Sequence, residues 1–282
     1  MKKFFMAVIS IMMTVSVSAQ FYIYLNNGDV LTADSISLVT PGALSGEFSV
    51  SATTTVQFSK GNLQYVGTWQ FAEHQWDYFG ESQSDNHRDL FGWGTGDAPN
   101  KVSEECIDYT TFTDWGTNPI TNGGNKANVW RTLTKDEWVY LICDRENATT
   151  LFGFGTVNGV NGLILLPDNW QLPASAAFAA STTMGLNVGG TFFTNPSRDN
   201  YTHNTYSIEQ WAVMEAAGAV FLPQGFNRAG ETVPDNELLS TEYWSSNSDG
   251  EGNAYACSFD VQYFNPQGSH GVNCGFCVRL VR

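Results

Sequence analysis

Apolar and polar positions alternate most clearly between residues 48 and 71. Gln57 separates Val56 from Phe58, Gln64 separates Leu63 from Tyr65, and Gln70 separates Trp69 from Phe71. A period of two predicts half-buried antiparallel strands, with Lys60-Gly61-Asn62 turning the chain. A smaller β unit is predicted at 21–40, where Phe21-Tyr22-Ile23-Tyr24-Leu25 runs into the turn signal Asn26-Asn27-Gly28-Asp29. Residues 41–47, broken by Pro, Gly and Ser, read as a linker.

The period changes to that of a helix in two places. Thr134-Lys135-Asp136-Glu137 is a capping box, followed by an apolar face of Trp138, Leu141 and Ile142, and the helix should end near Asp144. A second helix takes Ser207 as N-cap with Gln210 three residues on, continues through Trp211 and Met214, and meets Gly218 at the left-handed position after its end. Between them a hairpin is predicted, with strands at 154–157 and 163–166 and a turn through Asn158-Gly159-Val160-Asn161-Gly162. Residues 219–223 read as a short buried strand. The C-terminal part shows three strand signals, at 243–246, 254–261 and 276–281. The stretches 247–253 and 265–273 between them have the Gly, Asn, Ser and Asp content of exposed loops. Residues 80–129 are loop-rich, and their Phe91, Trp93, Phe112 and Trp115 pin them to a core. Residues 171–206 carry no assignable pattern. The chain is therefore mainly β with two helices, an α+β class.

The N-terminus changes this picture by adding an address. Lys2 and Lys3 precede an apolar run over 4–17, and Val17-Ser18-Ala19 offers small residues for cleavage, so residues 1–19 read as a signal peptide. The run is shorter than the about 20 apolar residues of a spanning helix, and no later stretch is apolar enough, so no transmembrane segment is expected. The expected location is exported: extracellular, cell-surface or periplasmic. Without Lys2 and Lys3 the chain carries 11 basic and 28 acidic residues. Such a charge repels phosphate backbones and anionic lipids, which excludes nucleic acid as an expected partner. Acidic loops supply the oxygens that Ca²⁺ takes, although no D-x-[DN]-x-[DN]-G loop is present.

Five cysteines, Cys106, Cys143, Cys257, Cys274 and Cys277, leave at least one thiol unpaired and fix no pairing. Cys274-Gly-Phe-Cys277 has C-x-x-C spacing, but in a strand residues three apart point to opposite faces. The four histidines, His74, His87, His203 and His270, are scattered, so a zinc set is incomplete. No G-x-S-x-G, H-E-x-x-H or His with nearby partners marks a catalytic centre, and the chain is not expected to be an enzyme.

Four words of the sequence, in order, resemble those of secreted bacterial proteins with the C-type-lectin-like fold. They are the run from Trp130 to Trp138, Leu165-Leu166-Pro167-Asp168-Asn169-Trp170, Tyr243-Trp244-Ser245-Ser246, and the closing Gly275-Phe276-Cys277-Val278-Arg279-Leu280-Val281-Arg282. Relatives of this kind include formylglycine-generating-enzyme-like domains and the major paralogous domain family. The resemblance implies two helices around a small, mixed, mainly antiparallel sheet with long loops and paired terminal strands. It covers residues 48–282, which leaves 20–47 as an N-terminal β segment and linker. Some such proteins are variable proteins of diversity-generating retroelements, whose final strands and loops are rewritten by adenine-directed mutagenesis. Asn247, Ser248, Asp249, Asn253, Tyr255, Cys257, Asp260, Tyr263, Ser269, His270, Val272, Asn273 and Cys274 are residue types a mutagenised Asn codon reaches, whereas Glu251 and Gln262 are not. The lectin signatures Glu-Pro-Asn and Gln-Pro-Asp are absent.

Aromatic side chains among Asn, Ser and Gly suit a binding surface, because Tyr gives area at low entropy cost and the small polar residues adapt their hydrogen bonds. The expected function is thus a receptor- or adhesin-like protein for a protein or glycan ligand. Its expected binding segment is 243–277, comprising those thirteen positions together with Tyr243. The alternatives are a copper-dependent enzyme of the formylglycine-generating kind, using Cys274 and Cys277, and a structural subunit of a surface fibre joined through residues 21–24.

Overall fold

A computed structural model describes residues 21–24, 30–33, 41–180, 185–186, 193–194, 200–234, 240–260 and 263–282. The chain divides into two units, Met1–Val39 and Thr40–Arg282. In the first, β1 (Phe21–Tyr24) pairs antiparallel with β2 (Val30–Ala33), with Phe21 opposite Ala33. The expected leader at 1–19 and the turn at 26–29 lie outside the described residues.

The second unit is α+β, with two short helices among several small sheets. It opens with two hairpins where the alternation predicts strands. β3 (Phe48–Ser49) pairs with β4 (Thr55–Val56), and β5 (Leu63–Tyr65) pairs with β6 (Trp69–Phe71). The loop-rich stretch that follows is held by its aromatic side chains. Trp69 lies 5.2 Å from Phe91 and Phe71 lies 4.8 Å from Trp130, ring to ring, and Trp115 is wholly buried. Aromatic area of this size offsets the entropy of ordering a chain that has little ladder of its own.

Helix α1 (Lys135–Val139) starts on both hydrogen bonds of the predicted capping box, and the chain continues in one wider turn over Tyr140–Asp144. The next hairpin, β7 (Phe152–Val157) and β8 (Val160–Leu165), is tighter than the sequence suggests. Asn158 (φ 50°) and Gly159 (φ 81°) alone turn it, both in the left-handed region that a two-residue turn needs. Strands β9 (Gly185–Leu186), β10 (Phe193–Thr194) and β11 (Thr205–Tyr206) follow. Then come α2 (Ile208–Ala216), with its predicted capping box from Ser207 and Gln210, and β12 (Val220–Pro223). The chain finishes through β13 (Thr241–Ser248), β14 (Asn253–Phe259) and β15 (Tyr263–Gly271).

These strands form a four-stranded sheet, β11-β7-β8-β12, and a five-stranded one, β13-β14-β15-β10-β9. Alternation distributes their side chains into layers. On β8, Leu163 and Leu165 join one apolar cluster and Ile164 another; on β12, Val220 and Leu222 part from Phe221 in the same way. On β14, Cys257 and Phe259 face the cluster shared with β8, while Ala254 and Ala256 face the aromatic cluster of Trp69, Phe91, Trp115 and Trp244. The shared cluster thus lies between the two sheets. The second lies under α2, through Trp211 and Met214, and the third under the loop-rich stretch.

Three expectations require correction. Residues 41–47 are no linker: Leu44 is buried, its N–H donates to Phe58 O (2.9 Å), and a Cβ on Gly46 would lie 2.3 Å from Gly218 O. Residues 263–271 form a strand rather than a loop, because a bulge between Ser258 and Ala256 absorbs the extra residue around Pro266. Residues 276–281, expected as a strand, pair not as one continuous ladder but by separate bridges. Leu63 N–H donates to Val278 O (2.8 Å), Ser59 N–H to Leu280 O (2.9 Å) and Gln57 N–H to Arg282 O (3.1 Å), and Val281 exchanges two bonds with Arg131. The end of the chain is therefore threaded between the first hairpins and the approach to α1.

Candidate functional site

Strands β13, β14 and β15 are paired with Trp244 opposite Ala256 and Tyr255 opposite Ser269. Toward the core they present Trp244 and the small Ala254 and Ala256, all buried, and the Trp244 ring meets Phe276 at 4.3 Å, tilted by 35°. Toward solvent, the far ends of the same strands present Asn247, Ser248, Asp249 and Ser269, all exposed, with Asn253 and Tyr255 half-buried.

The tip between β13 and β14 is built around one carboxylate. Asp249 accepts from the N–H of Glu251 (2.8 Å), from the N–H and Nδ2 of Asn253 (3.2 and 3.1 Å) and from Ser269 Oγ (3.4 Å). These donors, the Glu251 N–H first, hold the Asp249 carboxyl below the usual range. Gly250 (φ 81°) and Gly252 (φ 87°) supply the left-handed backbone that the turn needs. The tip is exposed yet internally bonded.

Two further segments complete the face. Asn247 Oδ1 accepts from the Lys135 N–H at the start of α1 (2.9 Å), and Lys135 Nζ lies 4.9 Å from the centre of the Tyr255 ring. On the other side, the turn Cys106–Asp108 docks against the ends of β14 and β15. Asn273 Nδ2 donates to Glu104 O (2.7 Å), Cys106 Sγ donates to Asn273 Oδ1 (3.1 Å), and a Cβ on Gly252 would lie 3.7 Å from Cys106 Cβ. This leaves Ile107 78% exposed beside the hairpin tips. Lys135 and Ile107 escape the sequence reading. Lys135 falls in a helix signature, and nothing in a loop-rich stretch marks Ile107 as the one aliphatic side chain turned outward.

The structure separates the fourteen predicted positions. Asn247, Asp249, Asn253, Tyr255 and Ser269 are brought together through the contacts just described, and Ser248 joins them by pairing with Ala254 across the ladder. Tyr243, Cys257 and Val272 are not part of the surface. Tyr243 is wholly buried, donating its OH to Pro223 O (2.9 Å) and accepting from Asn62 Nδ2 (3.1 Å), and Cys257 and Val272 pack in the core on either side of the sheet. His270 is no solvated loop residue. It lies on β15 with Nε2 2.9 Å from Ser258 Oγ and its ring edge-on to Phe276 (5.0 Å), and burial keeps its pKa below the ordinary value. Asn273 and Cys274 are half-buried at the base of the face, Asp260 is half-buried at the end of β14, and the side chain of Tyr263 lies outside the described residues.

Below the face sits a buried carboxyl. Glu242, 2% exposed, accepts from Ser240 Oγ and from Asn227 Nδ2 (3.3 Å). Burial pushes its pKa up to about 7 against those two hydrogen bonds, and the nearby Asp260 adds to the rise.

Other chemistry is poorly served. Ser258 and His270 form a nucleophile–base pair by distance, but Ser258 is wholly buried and no substrate carbonyl can reach its Oγ. Cys274 packs against the aromatic cluster and Cys277 within the cluster between the sheets, so the two thiols do not share a metal. Among the described residues no group of three or more His, Cys, Asp or Glu could hold a metal ion. A separate open cleft of about 530 Å³ is lined by Arg88 and Arg228 together with Glu81, Asp85 and Glu231, so its charges oppose one another. No helix of the described residues is long and apolar enough to cross a membrane. Comparisons with protein-family models, curated proteins and solved structures each gave no match.

Proposed function

We propose that this is an exported ligand-binding protein of the receptor or adhesin kind. Its binding face comprises Asn247, Ser248, Asp249, Asn253, Tyr255 and Ser269, flanked by Lys135 and Ile107. The observation that carries the reading is the tip itself: Glu251, Asn253 and Ser269 gathered by the four hydrogen bonds that Asp249 accepts, with Tyr255 half-buried beside them, above a layer of buried Trp244, Ala254 and Ala256. A surface ordered before binding loses less entropy when a partner docks. Tyr255, Lys135 and Ile107 supply contact area, and Asn and Ser supply adaptable donors and acceptors to a protein or glycan. A C-type-lectin-like fold is proposed for the second unit. Its support is the paired chain ends, the two short helices and the long loop stretch pinned by aromatic side chains.

Diversification, if it operates, is proposed for the exposed positions and not for Tyr243, Cys257 or Val272, whose side chains fill the core. A neighbouring reverse-transcriptase gene with a near-copy of the coding segment differing at adenines is the corresponding observation in DNA.

The test combines Asn247→Ala, Ser248→Ala, Tyr255→Ala and Ser269→Ala in one variant. Both proteins are applied to arrays of glycans and of cell-surface proteins. The expected result is native-like thermal unfolding with at least tenfold weaker binding to whatever the parent retains. Unchanged binding, with hydrogen-exchange protection by the ligand mapping elsewhere, refutes the assignment.

A further inference from the structure

All five cysteines are free thiols in this structure, yet they are not randomly placed. Cys257 and Cys277 are buried in the cluster between the sheets, and Cys143 packs against that cluster. Cys106 and Cys274 lie elsewhere, both half-buried at the base of the candidate face. Their meeting point is Gly271. A Cβ built there would lie 3.6 Å from Cys106 Sγ and 3.9 Å from Cys274 Sγ, ordinary contact distances, and 2.8 Å from Asn273 Oδ1, so both sulfurs border the same point of the chain beside the Asn273 side chain. Asn273 holds the turn carrying Cys106 against the chain carrying Cys274, through Cys106 Sγ to Asn273 Oδ1 (3.1 Å) and Asn273 Nδ2 to Glu104 O (2.7 Å).

We propose that Cys106 and Cys274 form a redox-responsive disulfide that ties the 106–108 turn to the end of β15. Closure needs a bond of about 2.05 Å, and each thiol has alternative staggered χ1 positions through which to form it. The thiol of Cys274 is pushed up chiefly by burial and next by Glu242. Cys106 adds a smaller rise, as a neighbour within electrostatic reach would. A small-molecule disulfide is the oxidant. One protein thiolate attacks it and releases one small thiol. The second protein thiolate then attacks the mixed disulfide at the protein sulfur and releases the other. Two electrons pass to the reagent, and the protons lost by the two cysteines end on the two released thiols. The bond would fix the position of Ile107 relative to the hairpin tips, whichever ligand the face takes.

The full chain is incubated natively with oxidised glutathione, quenched, alkylated under denaturing conditions and mapped by mass spectrometry. The expected outcome is a fall from five free thiols to three, with one linked peptide pair joining Cys106 to Cys274 and with Cys143, Cys257 and Cys277 alkylated. In Cys106→Ser, Cys274 should stop at the glutathione mixed disulfide, and in Cys274→Ser, Cys106 should do so. Five free thiols after incubation, stable mixed disulfides on the unsubstituted protein, or a linked pair involving other cysteines would each overturn the proposal.

Discussion

Glu242 ties the stability of the β13–β15 face to pH, and Glu242→Gln isolates the effect. The folded chain holds this proton more tightly than the unfolded chain does, because burial has pushed the carboxyl from 4.5 up to about 7. The resulting stabilisation is fully present below the unfolded value and is lost as pH rises through about 7. At about 1.4 kcal/mol per pH unit, the displacement corresponds to roughly 3 kcal/mol. Asp89 acts in the same direction: burial pushes it up to about 6 against its hydrogen bonds from Gln83 and the Phe79 N–H. Both proteins carry Asp89, so the difference between them reports Glu242. Urea unfolding at pH 4.5 and pH 8 should show the parent losing roughly 3 kcal/mol more than Glu242→Gln across that interval. If the two lose the same amount to within about 0.5 kcal/mol, the buried carboxyl does not titrate as argued.

Removing the Trp244 ring should be far more damaging at any pH. Trp244→Ala deletes the Nε1 bond to Phe91 O (2.7 Å) and the contact with Phe276, and should lower unfolding free energy by roughly 3–5 kcal/mol, measured by denaturant midpoint. Thr134→Ala opens the α1 capping box and should cost about 1 kcal/mol in the same assay; an unchanged midpoint would mean that α1 is set by packing alone. Asp249→Ala should leave global stability within about 0.5 kcal/mol while speeding amide exchange at Glu251 and Asn253, whose N–H groups lose their acceptor.

Local chemistry was legible wherever it decided the structure. Both capping boxes, the hairpin after α1 and the alternation over 48–71 reappear as elements because backbone propensity and burial agree there, although Val160–Gly162 belong to the strand and not to the turn. The sequence misled where tertiary contacts override composition. Asn265-Pro266-Gln267-Gly268 has the residues of a turn, yet it is carried inside β15 by a bulge. Gly46 and Pro41 read as linker residues, but Gly46 is a point where two backbones meet. At the candidate face, residue type separated binding residues from core only in part. Asn, Ser and Asp at the tip are exposed as their polarity suggests. Tyr243 is drawn inward by Pro223 and Asn62, far along the chain, and His270 by Ser258 and Phe276, which strand pairing and the following bend bring to it. The buried charges Arg228, Arg279 and Glu242 leave no periodic trace at all.

The threading of residues 278–282 between Gln57, Ser59, Leu63 and Arg131 has a consequence for biosynthesis. A ribosome makes these five residues well after Gln57, Ser59, Leu63 and Arg131, so the bonds between them form long after those partners are synthesised, while the first hairpins need no such delay to pair internally. A chain cut before residue 278 would leave the backbone groups of Gln57, Ser59, Leu63 and Arg131 without these partners.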